Sequence, residues 1–107
     1  MTDHPAAAAS AAALIRALAE ATTDAREAYG SPAEVASVTG SLLALAHHLE
    51  DALGRLAQHI DRRDDDWAGR YAREASGDIR TAQAQARNMA RALGKSVEAL
   101  GHLKPAP

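Results

Sequence analysis

The sequence predicts an all-α fold of long antiparallel helices, and three observations predict it. Alanine, the best helix former, supplies 28 of the 107 residues, against three valines, three isoleucines, two tyrosines, one tryptophan and no phenylalanine among the strand formers. The large aliphatics Val35, Val38, Leu42, Leu45, Leu49, Leu53, Leu56 and Ile60 alternate by three and four, which sets all eight on one stripe of a helix. No Asn-Gly or Asp-Gly dipeptide, the strongest short signal for a β-hairpin, interrupts the chain.

Length and composition bound the core. A chain of 107 residues fits one domain, residues 1–107, that buries roughly 60–70% of its unfolded surface. The hydrophobic fraction of 47% overstates that core, because alanines outnumber the eleven leucines by more than two to one. Each buried alanine removes far less area from water, at about 25 cal/mol per Å². The expectation is closely approaching helices with thin side-chain layers.

A first helix is predicted over residues 5–29. Pro5 suits its first turn, where a missing N–H costs nothing. Its stripe of Ala7, Ala11, Leu14, Leu18, Ala21, Ala25 and Ala28 is weak, so this helix is the one expected to be loosely attached or exchanged between subunits. The break that follows is the clearest in the chain. Gly30 suits a helix C-terminus, and Ser31, Pro32 and Glu34 form a capping box that opens the second helix. That helix is predicted over residues 32–63, about 45 Å long at about 1.5 Å per residue. Gly40 and Gly54 fall on its opposite edge, together with His47 and Asp61, either in solvent or under a neighbouring backbone.

The run Asp61-Arg62-Arg63-Asp64-Asp65-Asp66 holds no apolar residue and marks a second turn, with Asp64 to Asp66 available as an N-cap. A short polar turn between long helices favours a hairpin, with a single fused rod as the alternative. The third helix, residues 67–102, carries a seam of Ala72, Ala75, Ile79, Ala82, Ala86, Met89, Leu93, Val97 and Leu100 in sevenfold periodicity. The architecture predicted is an antiparallel three-helix bundle, or a long helical hairpin with a weaker N-terminal helix, able to dimerise into a four-helix or larger bundle.

Charge points to no single partner. The net charge is -2, which sets no global field for nucleic acid or an anionic membrane. Residues 32–66 carry seven acids against three arginines, and residues 67–107 carry seven bases against three acids, so neighbouring helices attract each other. Cysteine is absent, which removes thiol nucleophiles, disulfides and Cys-ligated metals. No apolar run reaches the length of a membrane span, and the first residues lack the basic and leucine-rich regions of a secretory signal. A cytoplasmic protein is expected. Ten arginines to two lysines match the codon bias of a GC-rich, actinobacterial-type genome.

Chemistry has little purchase on these residues. His48 and His59 share a helix face but stand eleven residues apart, about 16 Å, too far to hold one metal. Neither His-Glu-x-x-His nor the Glu-x-x-His of di-iron bundles occurs. The carboxylates cluster at a turn, where capping explains them, and no Gly-rich phosphate loop or nucleophile motif is present. No catalytic residue, metal ligand or cofactor is therefore assigned. The edge formed by Arg73, Arg80, Arg87 and Arg91, with Trp67 and Tyr71 at its start, is the candidate surface for a partner. It would track phosphates with a marked salt dependence, but stacking aromatics are few along it.

Trp67-Ala68-Gly69 resembles the Trp-x-Gly turn of the ESX-type (WXG) secreted helical hairpins. The resemblance implies that Trp67 and Gly69 sit at a hairpin turn, and that the chain dimerises and leaves by type VII secretion. Here the motif lies past mid-chain behind an additional helix, and the C-terminal Tyr-x-x-x-Asp/Glu of that family is missing after the third helix.

The reading favoured by the residues is a non-enzymatic helical protein that acts by association, with itself as a dimer or with a larger protein partner. Leu42, Leu45, Leu49, Leu53, Leu56 and Ile60 are the candidate core or interface. An ESX-like secreted hairpin and a nucleic-acid-associated protein using the arginine edge are the alternatives, and no membrane role is expected.

Overall fold

The computed structural model describes residues 3–24, 28–63 and 69–103. It contains three helices, α1 (His4–Ala21), α2 (Pro32–Asp61) and α3 (Arg70–Leu100). Helices α2 and α3 pack against each other as an antiparallel hairpin, so the fused rod is excluded. Among the described residues α1 packs on neither of them. The outcome is the long hairpin with a separate N-terminal helix, and not a closed three-helix bundle.

Local sequence explains where each helix starts and stops. Asp3 caps α1 by accepting the Ala6 amide at 3.0 Å, with Pro5 in the first turn. The helix ends at Ala21, short of the expected Tyr29. Thr22 and Thr23 turn their hydroxyls back onto the carbonyls of Leu18 and Glu20, both at 2.8 Å. Such side-chain bonds compete with helix continuation.

Helix α2 opens as its capping motif requires. Ser31 Oγ accepts the Glu34 amide, and Glu34 Oε2 accepts the Gly30 amide, both at 3.1 Å. The reciprocal bond thus falls one residue before the N-cap. Helix α3 begins after Gly69, whose φ of +125° is a conformation that glycine alone adopts freely. The expected N-cap at Asp64 to Asp66 and the expected helix start at Trp67 lie outside the described residues.

Three contacts fix the hairpin register. Ser76 lies opposite Asp61, Gln83 opposite Gly54 and Arg87 opposite Glu50. Each pair is separated from the next by the same distance on both helices, so one register runs the length of the hairpin. It implies a heptad seam of Thr39, Leu43, Ala46, Glu50, Leu53, Ala57 and Ile60 on α2. Opposite run Ala72, Ser76, Ile79, Gln83, Ala86, Ala90, Leu93, Val97 and Leu100 on α3.

The buried positions are small: Ala46, Ala57, Ala86, Ala90 and Ser76. The larger seam residues Leu43, Leu53, Ile60, Ile79, Leu93 and Val97 are half-buried at its flanks. Small residues on both helices allow the backbones to approach closely. At Gly54 the Gln83 side chain lies over the helix, its Nε2 2.6 Å from where a Cβ would stand. Gly40, on the same edge of α2, has open space around it.

This seam differs from the one expected on α3, which named Ala75, Ala82 and Met89 in place of Ser76, Gln83 and Ala90. The expected row took the more apolar or larger neighbour at each of these steps, Ala75 over Ser76, Ala82 over Gln83 and Met89 over Ala90, whereas the seam runs through the polar or smaller one. No described helix is long and apolar enough to cross a membrane.

Candidate interaction face

The register gives the hairpin two unlike sides. One carries Gly40, His47, Gly54 and Asp61 from α2 beside Arg73, Arg80 and Arg87 from α3. Here the charges are matched. Asp61 accepts from the Ser76 hydroxyl at 2.6 Å and from Arg80 Nη2 at 2.5 Å. The Ser76 bond and then the Arg80 guanidinium hold the Asp61 carboxyl below its ordinary pKa of 3.8. Arg87 Nε donates to Glu50 Oε1 at 2.6 Å.

Two of the six residues of the candidate partner surface are thus engaged within the hairpin. Of the others, Tyr71 is exposed beneath the Arg70 guanidinium, 5.7 Å from its ring centroid, and Arg70 pairs with Glu74. Arg73 and Arg91 are exposed. Trp67 lies outside the described residues. The arginines do not converge on one cleft.

The other side is apolar. Val35, Val38, Leu42, Leu45, Leu49, Ala52 and Leu56 recur at three/four spacing one step off the seam of α2. Ala82 and Met89 flank them on α3. Leu45 is 36% exposed, Leu49 39%, Leu56 53% and Met89 44%. A helix whose leucines all served its own core would leave them buried.

The eight-residue stripe of the sequence therefore spans two neighbouring rows. From Val35 to Leu49 it follows the outer row, and at Leu53 and Ile60 it steps onto the seam, with Leu56 left outside. Leu42 and Leu53 are half-buried, and Ile60 closes the seam near the turn. Ala46 and Ala57 fill the middle of the interface, and Ala57, with little hydropathic signal, escaped the sequence reading.

Helix α1 carries a second exposed apolar surface. Leu14 is 71% exposed and Ile15 is 39% exposed, and none of its residues is buried. Arg16 pairs with Glu20 along its length.

His47, His48 and His59 are exposed along α2. Among the described residues no three His, Asp or Glu side chains come together as a metal-sized group. What the geometry offers is a surface: an apolar strip about 32 Å long, from Val35 to Leu56 at about 1.5 Å per residue, on a rigid two-helix frame. Comparison with protein-family models, with curated proteins and with solved structures gives no match.

Proposed function

We propose that this protein is a non-enzymatic association module, acting as a homodimer through the leucine face of its α2–α3 hairpin. One observation carries the reading. The hairpin buries alanines between its helices and leaves Leu45, Leu49 and Leu56 more than one-third exposed. Burying apolar area stabilises by about 25 cal/mol per Å², and side chains of this size contribute most of it when a second surface covers them.

Contiguous apolar strips of this kind mark interaction sites on soluble proteins. Two hairpins stacked on these faces form a four-helix bundle, an arrangement with a thicker core than either hairpin has alone. Isologous pairing is the commonest solution for identical chains. The polar side favours a different role. Its arginines Arg80 and Arg87 neutralise Asp61 and Glu50, which leaves less charge for an external polyanion.

The test is Leu49→Lys, with Leu14→Lys on α1 as the control, followed by sedimentation equilibrium across a concentration series. Loss of the dimer in Leu49→Lys, with helicity retained and Leu14→Lys unaffected, is the expected result. An unchanged assembly in Leu49→Lys would remove the leucine face from the account.

A further inference from the structure

The charges beside the leucine face decide which way round a second copy sits on it. Beyond the leucines, on the side away from the seam, α2 carries Glu34, Ser41, His48, Arg55 and Arg62 at intervals of seven. The acid stands at the N-terminal end of this row and the two arginines at its C-terminal end. Glu34 is anchored in place, its Oε2 accepting the Gly30 amide at 3.1 Å. Arg55 and Arg62 are exposed and form no ion pair among the described residues.

The two helices do not share the leucine face equally. Val38, Leu45 and Ala52 form its outer edge on α2, and the equivalent positions of α3 are Asp78, Gln85, Ala92 and Ala99. A carboxylate and an amide interrupt the second row, so the closest apolar contact open to a partner lies over α2. Ala82 and Met89 lie between the seam and that polar edge, on the same side of the hairpin as the leucines.

We propose that the partner is a second copy whose α2 runs antiparallel to α2, about a two-fold axis perpendicular to the helices near the middle of the strip. This rests on the association reading above and adds its orientation. Rotation about such an axis puts both charged rows on one outer side of the pair and both α3 helices on the other. The four helices then close around Ala82 and Met89. A parallel pair would turn the two charged rows to opposite sides and leave the ends of each row unmatched.

Heptad spacing allows two positions of the axis within the strip. With the axis between Leu42 and Leu45, Val38 layers on Leu49 of the second copy, and Glu34 meets Arg55 of the second copy. With the axis between Leu45 and Leu49, Val38 layers on Leu56 of the second copy, and Glu34 meets Arg62 of the second copy. In each case the paired charges differ in level by two residues, about 3 Å. Their side chains lean toward their own N-termini, which here means toward each other. Unlike charges therefore meet at both ends of the pair at either position, and the antiparallel orientation is the one they select.

The test uses the absence of native cysteine. Ser37, Ala44, Asp51 and Gln58 lie on one exposed row of α2, clear of both the seam and the strip. Each is replaced in turn by cysteine in the full chain and spin-labelled, with helicity and dimer mass recorded. Pulsed dipolar spectroscopy then reads the distance from each label to its own copy. The expected distance is shortest at position 44 and longest at position 58, by roughly 15–30 Å at about 1.5 Å per residue. Positions 37 and 51 locate the axis. Their distances are nearly equal if it lies between Leu42 and Leu45, and position 37 gives the longer one if it lies between Leu45 and Leu49. Distances that stay level along the row, or that fall toward position 58, overturn the antiparallel orientation and leave the association reading standing. A wild-type chain that stays monomeric at every concentration overturns both.

Discussion

Arg87 and Glu50 join α2 to α3 from within the helix seam: Arg87 Nε donates to Glu50 Oε1 at 2.6 Å, and the Glu50 side chain keeps only 18% of its exposure. A carboxylate at a seam position is costly unless it is paired, and the pair fixes the level at which the two helices meet. A double-mutant cycle with Glu50→Gln and Arg87→Gln should give a coupling of about 1 kcal/mol, discounted for the half-exposed guanidinium. Urea unfolding of the four proteins measures it, and a coupling near zero would mean that the pair sets no register.

Ala46 and Ala57 have no exposed surface, and they face a helix that contributes Ala86 and Ala90. Ala46→Leu should therefore destabilise the hairpin by about 1–3 kcal/mol, because the helices must part to admit the branched side chain. On the opposite rim Gly40→Ala meets open space and should stabilise by a few tenths up to about 1 kcal/mol through helix propensity. Opposite signs in chemical denaturation are the expected outcome.

Acid should loosen the turn end of the hairpin through Asp61. Its folded pKa lies below the ordinary 3.8 because the Ser76 hydroxyl and Arg80 favour the carboxylate. The contribution is complete above the unfolded value and disappears as pH falls through the lowered folded one. Thermal melts of wild type and Asp61→Asn should differ at pH 7 and converge as the pH approaches 2. A gap that persists at low pH would assign the effect of the substitution to packing.

Helix α1 should be dispensable for the hairpin, since it packs on neither α2 nor α3. Deleting residues 1–24 should move the melting temperature by less than about 2 °C, where 1 kcal/mol corresponds to roughly 4–8 °C in a domain of this size. A larger loss, read by calorimetry, would show that α1 covers part of the hairpin in solution.

Much of this architecture is legible in the sequence because it is written in strong local signals. Ser31-Pro32-Ala33-Glu34 marks the start of α2 by chemistry that needs no tertiary context, and the structure forms it at that place. The end of α1 was less legible, since alanines continue past Ala21 and the pair Thr22-Thr23 stops the helix with side-chain bonds that propensity does not weigh. The seam was least legible. Its members Ser76, Gln83 and Glu50 are polar, and beside Ala90 the larger Met89 drew the expected row off the seam. Leu42, Leu45, Leu49 and Leu56 stood out in the sequence for the opposite reason, and they lie outside that seam. Hydropathy located the exposed apolar face of α2 more clearly than it located the helix interface.

The central claim is that the chain pairs with itself through that face. Light scattering on a size-exclusion column, with absorbance at 260 and 280 nm and at low and moderate salt, addresses it most directly. The account predicts a species of about twice 11.2 kDa that is free of nucleic acid and persists at moderate salt, because its stability is chiefly apolar. A species of 11.2 kDa at every loading concentration would contradict it.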